Sequence, residues 1–246
     1  MKSISQSLSQ YKNFKQVLSN LSDEEDEILV PAQQQYLPHY VSSSQSTCVK
    51  LFLDEPIKEV KYYRNILNAI ESLGQDDAVL IKVDSPGGYL GSAMQIINAI
   101  QNTDAQVHVQ IDGMAASAAS LIALAAPSVS VAPYSSMMIH PATFGSGGIQ
   151  SNVVTHSAFV DKQVKQIMKD IYSDFLTDKE FSEVMLGAEL WFDADQIIER
   201  LEKRAELQEK RHKKMMSEIK KQQKEAVKSY KPKNKIQEPS LECDVE

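Results

Sequence analysis

"AVLIKVDSPGGYLGSAMQIINAIQN", residues 78–102, reads as a strand, a turn and a helix in succession. Its first seven residues are a continuous, mostly apolar run of the kind buried on both faces of a parallel sheet. Pro86 fixes a turn, and Gly87 and Gly88 free the backbone for angles barred to other residues. Helical spacing then takes over in "GSAMQIINAIQN". Outward from this unit the same alternation repeats. "VKLFL" (49–53) is β-rich, and "PIKEVKYYRNILNAIESLG" (56–74) has helical spacing closed by a glycine. On the other side come a strand "QVHVQID" (106–112), a helix "ASAASLIALAA" (116–126), and short strands "SVSVA" (128–132) and "MMIH" (137–140). Elements alternating at these lengths predict an α/β fold of βαβ units on a mainly parallel sheet. Beyond the Gly-rich loop "TFGSGGIQ" a long amphipathic helix is predicted from Ser151 to about Leu176. A last helix is predicted to start near Asp193 and run into a basic arm.

Length and charge set the organisation around that core. The 246 residues suit one sizeable domain with appendages. Residues 1–47, rich in Ser and Gln with an acidic block at 23–27, read as a flexible leader that could be removed. Residues 48–200 are the expected domain, and residues 201–246 the basic helical arm and tail. Residues 200–231 hold twelve Lys or Arg against five acids, whereas residues 1–199 hold twelve against twenty-four. An acidic body therefore carries a basic arm. The arm's apolar seam is too poor for a coiled coil, so a solvated helix is the plain reading, with an acidic partner as the alternative and nucleic acid not expected. Cys48 and Cys243 give no disulfide framework or zinc site, which with the lack of a signal h-region or membrane span predicts a cytoplasmic protein. No phosphate loop of the G-x-x-x-x-G-K-[ST] type is present, and no metal or organic cofactor is expected.

Chemistry is concentrated at two strand ends. In "GMAASAAS" (113–120) small residues at a strand-to-helix junction allow a close approach and leave Ser117 and Ser120 as the hydroxyls. A serine at a helix N-terminus, followed by backbone amides, is placed like a nucleophile beside an oxyanion site; tight packing of an Ala-rich helix is the alternative. Such a serine needs a base. Among the histidines, His39 and His212 fall in the leader and the arm, His108 sits inside a strand, and His156 opens a long helix. His140 ends "SMMIH" before a proline and a Gly-rich loop, the strand-end position where α/β folds gather active sites. The Gly87–Gly88 turn, near the start of its own helix, is a further place to receive negative charge.

"DSPGG", "DGMAASAAS" and "MMIHPA", in this order and with these gaps, resemble the ClpP family of serine peptidases, the proteolytic subunits of ATP-dependent Clp proteases, over about residues 49–200. "LFLDEPI" with the same motifs further resembles the ClpP-like proteins of phages. The resemblance implies a ClpP/crotonase-like fold and a serine endopeptidase acting on extended or unfolded polypeptides. It makes Ser117 the nucleophile, His140 the general base, and the amides of Gly87 and Ala118 the oxyanion hole. Ser85, Pro86 and Gly88 would border the substrate groove. The third catalytic slot, an aspartate in the family, holds Glu189 here; the alternatives are Asp195, Asp193, which reads better as a helix cap, or no third member. A homo-oligomer, by resemblance a heptameric ring, and a separate AAA+ unfoldase are the implied partners, with processing of phage head proteins an alternative setting. Three other readings compete: a catalytically impaired ring or scaffold protein, a crotonase-like acyl-CoA enzyme, and a Ser-Lys peptidase. Ser117 together with His140 argues against all three.

Overall fold

The computed structural model describes residues 39–43, 46–145 and 147–229. Its centre is one seven-stranded sheet in the order β1-β2-β3-β4-β6-β7, with β5 also paired to β4. The strands are β1 (His39–Ser43), β2 (Thr47–Leu53), β3 (Ala78–Ser85), β4 (Gln106–Ala116), β5 (Val129–Val131), β6 (Ser136–Ile139) and β7 (Leu190–Asp193). The interior pairings β2–β3, β3–β4, β4–β5 and β4–β6 are parallel, while β1 and β7 close the two edges antiparallel. Val79, Ile81 and Val83 of β3 are fully buried, as the apolar run predicted.

The helices are α1 (Arg64–Glu71), α2 (Leu90–Asn102), α3 (Ala118–Ala125), α4 (Gln150–Tyr172), α5 (Asp178–Met185) and α6 (Ala194–Ser229). Helix α2 packs against α1 and α3, and α3 lies against β4 and α4. Every residue of α3 from Ala118 to Leu124 is buried. Its small side chains are what let a helix sit so deeply beside the sheet.

Three differences from the sequence reading have physical causes. The helix expected over 56–74 shrinks to α1 behind a short 3-10 turn, because the backbone of Ile57 is spent on the glycine turn: Ile57 N–H donates to Gly87 O (2.8 Å) and Ile57 O accepts from Tyr89 N–H (3.0 Å). Part of the stretch read as leader, His39–Ser43, is a strand paired with β2. Helix α5 and strand β7 are additions to the elements predicted from the sequence; α5 begins in a capping box in which Thr177 and Glu180 satisfy each other's backbone N–H. Helix α6 starts where predicted and is continuous through the arm to Ser229.

Candidate active site

The parallel register of β4 on β6 pairs Ala115 with Met137 and Ala116 with Met138. One residue beyond the end of β4 is Ser117; one beyond the end of β6 is His140. Ser117 N–H donates to Met138 O at 2.8 Å, so the serine is tied directly to the strand that carries the histidine. The side chains meet: His140 Nε2 lies 2.7 Å from Ser117 Oγ. Both residues are half-buried, open enough for a substrate to reach.

Ser117 has φ 55° and ψ −123°, the one positive φ outside glycine among the described residues. A non-glycine residue held there stores of order 1–3 kcal/mol of strain, which neighbouring structure must overcome. The neighbours are identifiable. Its carbonyl accepts from Ser120 N–H (3.0 Å) and from Ser120 Oγ (2.7 Å), clamping the turn into α3. The sharp corner turns Oγ out toward His140 while the Ala118 amide opens the helix, with no described acceptor for its N–H. A hydroxyl 2.7 Å from an imidazole can lose its proton to that ring as it attacks a carbonyl, and an unspent amide next to it can receive the charge that develops.

The glycine turn completes the floor of the site. A Cβ on Gly87 (φ 91°) would come within 2.6 Å of Ala116 O, 2.7 Å of Ser117 Cβ and 3.0 Å of Ala118 N. Only glycine fits against the elbow. The turn is held from below by Ser85, fully buried, whose Oγ donates to Glu55 O (2.7 Å) and accepts from Gly87 N–H (3.2 Å). The Gly87 amide, expected to face an oxyanion, is therefore engaged with Ser85, and the amide of the neighbouring Gly88, an exposed residue, has no described acceptor. Pro86 is exposed beside it. A second glycine fit escaped the sequence reading: Asp84 Oδ1 accepts from Met114 N–H (2.8 Å), and its carboxylate lies where a side chain on Gly113 would stand. The pattern D-S-P-G-G with D-G ahead of the serine carried that signal.

Comparison with known proteins decides the family. The Clp protease family matches residues 44–199. ATP-dependent Clp protease proteolytic subunit 2 of Treponema denticola is 30% identical over 141 residues, 56% of this chain and 70% of that relative. The chain belongs to the Clp protease family. A ClpP1 mutant structure from Listeria monocytogenes aligns with a TM-score of 0.48 at 18% identity, covering 61% of this chain and 86% of that one.

Within this Clp protease chain the remaining predicted position, Glu189, lies immediately before β7. The antiparallel register pairs Met138 with Trp191 and Ile139 with Leu190 and ends there, so His140 and Glu189 each stand one residue outside the ladder. Glu189 is exposed, and no described hydrogen bond joins its carboxylate to the His140 ring. Asp193 caps α6 as expected, its Oδ1 accepting from Gln196 N–H at 2.9 Å. Among the described residues no group of three or more His, Cys, Asp or Glu could hold a metal ion, and no helix is long and apolar enough to cross a membrane.

Proposed function

We propose that the chain is a serine endopeptidase that hydrolyses peptide bonds of extended or unfolded polypeptides through an acyl-enzyme on Ser117. The observation that carries this reading is the 2.7 Å contact between Ser117 Oγ and His140 Nε2 at a strained elbow. Ser117 Oγ attacks the scissile carbonyl while His140 Nε2 takes its proton, which requires the other ring proton on Nδ1. The carbonyl oxygen, now an anion, is received by the Ala118 N–H and the glycine turn, where Gly88 offers the unspent amide. The imidazolium returns its proton to the leaving amine, and water, activated by the same ring, releases the acyl group. Glu189, which like His140 stands one residue outside the β6–β7 ladder, would orient and stabilise the imidazolium once its carboxylate turns inward. Family membership supports assembly into a ring and supply of substrate by a separate Clp ATPase in the cytoplasm.

The test is labelling of the full chain, with its assembly state characterised, by a fluorophosphonate serine probe, together with hydrolysis of a fluorogenic peptide. Label should map to Ser117 and vanish in Ser117→Ala. In His140→Ala, hydrolysis should fall roughly a thousandfold or more. Glu189→Ala should lower activity without abolishing labelling. An assembled wild-type protein that neither labels nor cleaves would refute the reading in favour of a ring or scaffold role.

A further inference from the structure

Behind the elbow runs a buried hydroxyl chain that the mechanism above does not use. Ser120 Oγ lies 2.7 Å from Ser117 O and 2.8 Å from Tyr172 Oη. Ser120 is fully buried and Tyr172 is 1% exposed. A hydroxyl has one proton. The only way Ser120 Oγ can sit against a carbonyl oxygen at that distance is to donate to it, which leaves its lone pairs to accept from Tyr172. The direction is thus fixed: Tyr172 O–H donates to Ser120 Oγ, and Ser120 O–H donates to the carbonyl of Ser117.

We infer that Tyr172 is a positioning residue for Ser117, acting through Ser120 to hold the elbow in its strained conformation. The inference rests on the peptidase reading of Ser117. Three features support it. The receiving carbonyl belongs to the strained residue itself, so a loss of its hydrogen bonds acts directly on the φ and ψ that aim Oγ at His140. Burial pushes the Tyr172 phenol well above its ordinary range, so it remains a donor throughout the working pH. Tyr172 is the last residue of α4, fifty-two residues from Ser120 in sequence, so the bond joins a separate element to the elbow and is not a by-product of local turn geometry. Polarised in series inside a low-dielectric core, two such bonds reinforce one another.

The experiment is a double-mutant cycle on the full chain with Tyr172→Phe, Ser120→Ala and both, read by peptide hydrolysis per probe-titrated site, by melting temperature, and by amide hydrogen exchange over residues 117–121. Phenylalanine keeps the ring that fills the core and removes only the donor. Tyr172→Phe should lower kcat about tenfold with KM unchanged and speed exchange at the elbow amides, Ser120→Ala should do the same, and the double variant should be no worse than Ser120→Ala alone. Wild-type activity with unchanged kcat in Tyr172→Phe, whatever its melting temperature, would overturn the positioning role while leaving the peptidase reading intact. Losses that multiply would overturn the serial link. A wild-type protein that does not label would refute the peptidase reading, and the inference with it.

Discussion

Replacing Gly87 with alanine tests the elbow from the opposite side. The new methyl carbon would stand 2.6 Å from Ala116 O, 2.7 Å from Ser117 Cβ and 3.0 Å from Ala118 N, where ordinary contact begins at 3.4 Å. None of these neighbours is the end of a flexible side chain; each belongs to the backbone or to the serine. Relief therefore requires the turn and the elbow to part by about 0.8 Å, and a misplacement of that order costs catalysis roughly a hundredfold. The positive φ of 91° adds roughly 1–2 kcal/mol for any L side chain. At this chain length the φ penalty alone corresponds to a melting point lowered by roughly 2–8 °C, so the protein should still fold while hydrolysing peptide about a hundredfold more slowly. Gly91→Ala is the matched control: it lies in α2 with nothing within 4 Å of the added carbon, and should gain up to about 1 kcal/mol of helix stability at full activity. Peptide hydrolysis and probe-labelling rates, measured beside thermal melts, separate the two. Gly87→Ala with the activity of Gly91→Ala would refute the packing argument.

Two stability predictions concern residues away from the chemistry. His108 is buried in β4 with Nδ1 2.9 Å from Ser128 Oγ and Nε2 2.8 Å from Ser130 Oγ, and desolvation brings its pKa down to about 4. Because the unfolded chain protonates first, near 6.5, stability present above that pH should be lost as pH falls toward 4, by about 3 kcal/mol in total. Denaturant titrations at several pH values should show this slope, and His108→Gln should flatten it; an unchanged slope would remove His108 as its source. Glu180 accepts from Thr177 N–H and from both terminal nitrogens of Arg200, whose guanidinium holds its pKa down at about 2. Glu180→Ala, losing cap and ion pair together, should cost about 2–4 kcal/mol in urea unfolding. Thr177→Ala, losing the cap alone, should cost about 1 kcal/mol, and equal costs would show that the Arg200 pair contributes nothing.

What could be read in the sequence follows the range over which each signal acts. The βαβ core was legible because an apolar run such as 78–83 and the spacing of 90–102 report their own burial. Ser117 and His140 could be brought together on paper because both stand at the C-terminal ends of parallel strands, where register alone decides who meets whom. The Thr177-x-x-Glu180 box was equally local and could have announced α5. Other features depended on contacts made across the fold. Ile57 looks helical in sequence, and only the approach of the glycine turn shows that its N–H and C=O are committed elsewhere. Gly87 and Gly88 look equivalent as residues, yet the hydroxyl of Ser85 engages one amide and leaves its neighbour with no described acceptor. Tyr172 is the extreme case: as an apolar position of an amphipathic helix it needs no further explanation, and nothing in its surroundings in sequence points to a serine fifty-two residues earlier. Its role emerges from counting protons. One hydroxyl between a carbonyl and a phenol can satisfy both only if the phenol donates, and that constraint ties the end of α4 to the geometry of Ser117.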